Sequence, residues 1–131
     1  MNRIPATLIR SAATIILVIA AVLAADTQVV TLVGKSWDLH VHHIIETTLE
    51  ENLAMIADSV SFLKRQGRTV FFDAEHFFDG FKSNPEYALQ SVKVAAEAGA
   101  DCLVLCDTNG GALAGEIGDI VTAVRGETDV S

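Results

Sequence analysis

Proline is nearly missing from this chain, with Pro5 and Pro85 its only two in 131 residues. Long stretches are therefore free to run as helix or strand without a break. Cysteine is as scarce: Cys102 and Cys106 stand in the run ADCLVLCD. On a strand they share a face but lie roughly 13 Å apart along it, farther than a disulfide spans. A disulfide scaffold is excluded, and two unpaired thiols read as small core residues in a reducing cytosol. Positive charge is also short. Residues 26–131 carry 7 Lys or Arg against 17 Asp or Glu. An acidic body without a basic cluster is a poor partner for nucleic acid or for anionic membrane. No uncharged run reaches the about 20 apolar residues of a membrane span. The nearest, Ser11–Ala25, follows Arg3 and Arg10 and ends in alanines, as a signal peptide cleaved after Ala24 or Ala25 would.

What is present is apolar and ordered. Half the residues are hydrophobic and 20% charged, the balance of a globular chain rather than a disordered one. We divide the chain into a hydrophobic, helical N-terminal segment at 1–25 and one domain at 26–131. The first part is signal-like or mis-started, and it leaves export or membrane association through residues 11–25 as the alternative to a cytoplasmic location.

Beyond residue 28 one cycle repeats three times. The β-branched run Val29–Val33 ends at Gly34. A helix follows in which Leu49, Leu53, Ile56, Val60 and Leu63 recur at steps of four and three, the spacing of one helical face. Thr48 and Glu51 form its capping box, and Lys64, Arg65 and Gly67 its end. A second strand, Thr69–Phe72, leads into the polar and aromatic stretch Asp73–Lys82. Asn84-Pro85 then opens a helix buried along Ala88, Val92, Ala95 and Ala96 and closed by Gly99. The third strand is Cys102–Cys106, and a weaker helix carries Leu113, Ile117, Ile120, Val121 and Val124. Continuous apolar strands alternating with helices predict a parallel sheet covered by helices, an α/β fold. A flavodoxin-like sheet and an arc of an eight-fold barrel both satisfy this pattern.

Polar residues gather just after each strand: Lys35, Ser36, Asp38 and His40; then Asp73, Glu75, His76 and Asp79; then Asp107, Thr108 and Asn109. Either fold brings such residues to one end, where the ligand sits. Glu75, flanked by Phe77 and Phe78, is placed to be partly desolvated and so tuned for acid/base work. Thr108 offers a hydroxyl, and Gly110-Gly111 offer backbone amides ahead of a helix, a setting that receives a carboxylate. His40 and His42 would share a strand face and could ligate metal. They follow the apolar run at a distance and have no third ligand nearby, so His42 and His43 read better as solvated or helix-entry residues.

The strings GKSWDLHV, TLEENLAMIADSV, FFDAEHFFDG, NPEYAL and AEAGADCLVLCDTNGG, taken in this order and spacing, resemble the citramalate synthases of the isopropylmalate synthase family. The resemblance runs from about Ala24 to Arg125 and favours the citramalate branch over isopropylmalate or homocitrate synthases. It implies a partial (β/α)8 barrel of the pyruvate carboxyltransferase type, with about three strand–helix units. It further implies an acyltransferase that condenses acetyl-CoA with pyruvate to citramalate for isoleucine synthesis, homodimeric and dependent on Mg or Mn. In that frame Glu75 matches the catalytic glutamate of the fifth strand. Thr108 matches the threonine that binds the oxo acid, and His40 a histidine facing the substrate pocket. The family's first-strand Asp-x-Thr-Leu-Arg-Asp-Gly and seventh-strand His-x-His-Asn-Asp motifs, which carry the metal ligands, are absent. We therefore expect no metal held by these residues alone and no activity from them alone, unless a complementing fragment supplies the rest. A non-catalytic truncated or exported small protein is the alternative.

Overall fold

A computed structural model describes residues 19–130. Most of the signal-like run therefore lies outside the described residues. Residues 19–24 are helical (α1), and Ile19, Val22 and Leu23 pack against the main core. Three strand–helix units follow. Strand β1 (Val29–Lys35) leads into α2 (Asp38–His43) and α3 (Leu49–Arg65). Strand β2 (Thr69–Glu75) leads into α4 (Phe77–Ser83) and α5 (Pro85–Glu97), and β3 (Cys102–Leu105) into α6 (Ala114–Glu127). No helix among the described residues is long and apolar enough to cross a membrane.

The strands pair in parallel in the order β1-β2-β3. Along β2 burial alternates strictly, with Val70, Phe72 and Ala74 covered and Thr69, Phe71, Asp73 and Glu75 half-exposed, the two-residue period of a strand with one covered face. Ile56, Val60 and Leu63 of α3, Ala88, Val92 and Ala95 of α5, and Ile120 and Val124 of α6 all join the cluster on that covered face. The opposite face leaves Val29 and Val33 50% and 60% exposed. A flavodoxin-like sheet sends helices to both sides. Strands in sequential order with every helix on one side form an arc of a barrel.

The structure moves several predicted boundaries. Strand β1 runs through Gly34 to Lys35 rather than stopping at Val33, its pairing with β2 continuing past a residue 34 that the Phe72 ring restricts to glycine. A Cβ on Gly34 would stand 2.3 and 2.4 Å from that ring. Strand β2 runs three residues past Phe72, since its pairing with β1 continues as Val33↔Asp73, Gly34↔Ala74 and Lys35↔Glu75. The stretch read as polar and aromatic contains the helix α4, whose Phe77 and Phe78 are buried. The short helix α2 carries His42 and His43 exposed in its last turn, so His40 and His42 never share a strand face. In α3 the buried face includes Asn52 in place of Leu49 and Leu53, which are half-buried. The Asn52 amide donates to the Lys35 carbonyl at 2.8 Å and to the Tyr87 hydroxyl at 2.7 Å, tying the end of β1 to α5. Its burial is tolerated because both bonds are made. Thr48 caps α3 by accepting from the Glu51 amide, and Asn84 caps α5 by accepting from Tyr87. Cys102 and Cys106 are free, as read, but half-buried rather than core, β3 being one of the two outer described strands.

Gly34→Ala is expected to destabilise the chain by about 1–3 kcal/mol through overpacking, measured by urea unfolding. Phe72→Leu should then cost less in the Gly34→Ala background than in the unaltered chain. Equal costs would mean that the ring does not set the limit at residue 34.

Candidate active site at the strand ends

Because β1 and β2 are in register to their last residues, Lys35 and Glu75 stand side by side at the carboxyl ends of the strands. Their side chains form an ion pair that is 23% and 29% exposed. The hydrogen bond from the Lys35 ammonium holds the Glu75 carboxyl below the usual glutamate range. Partial burial pulls the other way but does not win, and His76 and His40 add smaller attractions. The expected aromatic desolvation by Phe77 and Phe78 does not operate, because both rings turn into the core. The pair thus favours the carboxylate form of Glu75, the opposite of the tuning that the flanking phenylalanines imply.

His40 lies one turn into α2 and packs beside Trp37 and His76, with ring centroids 4.9 and 4.5 Å away. The two imidazoles meet edge to face. Burial, then the neighbouring His76 and Lys35, keeps the His40 imidazole below its ordinary range, so the neutral ring is favoured. Its Nδ1 is buried and has no hydrogen-bond partner among the described residues.

Thr108 follows β3, and its Oγ1 accepts the His76 main-chain N–H at 2.9 Å. One residue on, the Phe77 N–H donates to the Cys106 carbonyl at 3.1 Å. The turn after β2 is thus bonded to the end of β3. The His76 Nδ1 lies 3.3 Å from Asp79 Oδ2, which also accepts from Asn109 Nδ2 at 2.8 Å. Below this turn α4 presses on the β1–α2 connection. A Cβ on Gly80 would meet the Ser36 carbonyl oxygen at 2.5 Å, so only glycine permits the approach. The Gly110-Gly111 turn does not offer its amides outward as expected. The Asp107 carboxylate accepts from Gly111 and Ala112, and the Asp107 carbonyl from Gly110.

Glu75, His40 and Thr108 thus come to one end of the sheet, and His76 touches or adjoins all three. The sequence reading named Lys35 and His76 as strand-end residues but gave neither a role. The signal for Lys35 was its place directly after Gly34, at the end of the first apolar run. Nothing in the spacing of His76 announces its turn. Among the described residues no three His, Cys, Asp or Glu side chains are placed to hold a metal ion. The nearest carboxylates are engaged, Glu75 by Lys35 and Asp79 by Asn109. What remains is a half-buried ionised carboxylate beside an ammonium, a neutral imidazole and the Thr108 hydroxyl, which accepts the His76 N–H and keeps its proton to donate, a set able to bind an anionic ligand and move a proton near it.

Comparison with known proteins bears on this set. The sequence model of the HMGL-like family matches residues 2–130. The chain is 56% identical over 105 residues to the (R)-citramalate synthase of Synechocystis, covering 80% of this chain and 19% of that protein. Against the (R)-citramalate synthase of Streptomyces coelicolor it is 57% identical over 110 residues, 84% of this chain and 21% of the relative. With the homocitrate synthase of Sulfurisphaera tokodaii identity falls to 37% over 95 residues, 70% of this chain and 19% of the relative. The chain spans about a fifth of the length of these curated relatives.

Lys35→Met is expected to raise the Glu75 titration midpoint, read by carbon-13 NMR of the side-chain carboxyl. The sign follows from the depressed folded value. The pair stabilises the fold above the unfolded glutamate value, and that contribution is lost as pH falls through the folded one. The variant should therefore lose stability at neutral pH and converge with the parent in acid. A midpoint that stays put would show that Lys35 is not what keeps Glu75 ionised.

Proposed function

From the premise that the chain belongs to the HMGL-like family, whose domain is a (β/α)8 barrel, we propose that residues 26–131 form the sector holding the fourth to sixth strands of a citramalate synthase. The reaction is the condensation of acetyl-CoA with pyruvate to citramalate, an acyl transfer serving isoleucine synthesis in the cytoplasm. The observation that supports it most is the register pairing that sets Glu75 beside Lys35 at the strand ends, in a chain 52–58% identical to five (R)-citramalate synthases.

In this reading Glu75, kept ionised by Lys35, is the base that takes the acetyl methyl proton, or the partner of that base. The Thr108 hydroxyl binds the oxo acid's carboxylate, and His40 lines the same pocket with a neutral ring. The parent enzyme's divalent metal, Mg or Mn, would polarise the oxo acid's carbonyl. Among the described residues no three His, Cys, Asp or Glu side chains are grouped to hold that ion. The division at residue 25, a homodimeric parent and a complementing fragment belong to the same proposal.

Both outer strands, β1 and β3, have one unpaired edge among the described residues, and unpaired edges are poorly tolerated in isolation. The 131-residue chain by itself is expected to release no measurable thiol from acetyl-CoA with pyruvate and manganese or magnesium. Grafted as residues 26–125 in place of the matching segment of the Synechocystis protein, it should make citramalate. Glu75→Gln in that graft should lower kcat by about 10²–10⁴-fold, the usual weight of a general base. A folded graft that makes no citramalate, or one indifferent to Glu75→Gln, would overturn the proposal.

A further inference from the structure

His76 occupies a position that disfavours it. Its backbone is left-handed, at φ 53° and ψ 34°, a region where glycine and asparagine stand at least cost. The ring explains why a histidine is found there. Nδ1 lies 3.3 Å from Asp79 Oδ2, and the ring is wedged against His40 at 4.5 Å and Trp37 at 5.9 Å between centroids. These contacts hold the main chain in the left-handed turn. The turn in turn aims the His76 N–H at Thr108 Oγ1, 2.9 Å away. Asp79 reaches the next residue, Asn109, at 2.8 Å. The His76 main chain therefore holds Thr108 directly, while its ring reaches Asn109 through Asp79.

A hydroxyl has one proton and two lone pairs. With a lone pair taken by the His76 N–H, and no acceptor for its proton among the described residues, the Thr108 hydroxyl is left as a donor. We propose that His76 is the positioning residue of this site, its left-handed turn committing the Thr108 hydroxyl to donate to a bound carboxylate. The inference rests on the function proposed above for its ligand, a 2-oxo acid. It goes beyond that function in assigning the orientation of the Thr108 hydroxyl to the turn amide of His76.

The test is a double-mutant cycle in the active graft. His76→Val, whose branched side chain excludes the left-handed turn, should raise the KM for pyruvate about tenfold, the weight of one hydrogen bond. The KM for acetyl-CoA should not move. Thr108→Val should do the same, and the double variant should match either single one, because both remove one bond. His76→Gly keeps the turn, so in that background Thr108→Val should still cost its full factor. Effects that multiply in the double variant, or a His76→Val variant whose two KM values rise together, would overturn the assignment. An inactive parent graft would refute the function instead. Amide exchange on the 131-residue chain then decides the positioning role. The His76 N–H should be protected, lose about tenfold of that protection in Thr108→Val, and keep it in Thr108→Ser. Protection unchanged in Thr108→Val would sink the proposal.

Discussion

The Phe72 ring lies where any side chain at residue 34 would stand, and the site depends on that overlap. Because residue 34 is glycine, β1 and β2 stay paired past the apolar core and bring Lys35 level with Glu75. A larger residue would press on that ring. The same ring is fully buried at the centre of the helix-covered face, worth about 1.5–3 kcal/mol in burial. One side chain thus couples the core to the geometry of the strand ends.

Gly80 does the corresponding work one layer out. Its missing side chain lets α4 rest on the Ser36–Trp37 backbone, which brings Trp37, His40 and His76 within one aromatic cluster. The buried Ser36 hydroxyl lies 2.8 Å from that of Ser91, whose one proton goes to the Ala88 carbonyl, so Ser36 donates to Ser91. Polar groups buried so close to the apolar layer are acceptable because each finds a partner. The cost of leaving one unpaired would fall on the loop that carries His40.

The strand–helix cycle was legible because apolar period and glycine punctuation agree at every unit, from Thr48 at the head of α3 to Gly99 after α5. The convergence of strand-end polar residues was legible for the same reason, since a parallel fold leaves them only one end to occupy. The choice between barrel and doubly wound sheet was not. It turns on which side of the sheet each helix crosses, and strands of a barrel and of a doubly wound sheet are both buried on two faces and read alike as continuous apolar runs. The charge state of Glu75 was misread because Phe77 and Phe78 neighbour it in sequence but leave it in space, carried inward by a left-handed turn at His76. Such a turn has no composition of its own. Local patterning describes a residue's element, whereas a pairing such as Lys35–Glu75, forty positions apart, is set by register.

The bonds at the strand ends run mainly between units rather than within them. Lys35 of the first unit meets Glu75 of the second; His76 of the second meets Thr108 of the third; Asp79 of the second meets Asn109 of the third. Asn84 of the second reaches back to Asp38 of the first at 2.9 Å. No single strand–helix unit therefore contains a working part of the site. Ordering any one of these side chains requires its neighbour's strand to be in place, so the entropy of fixing them is met once, on assembly of the sheet. The acidic body sharpens the result. With 17 carboxylates against 7 cations past residue 25, Lys35 is a cation placed at the strand ends, where Glu75 takes up its charge. That lysine is held in place by the carboxylate it keeps ionised.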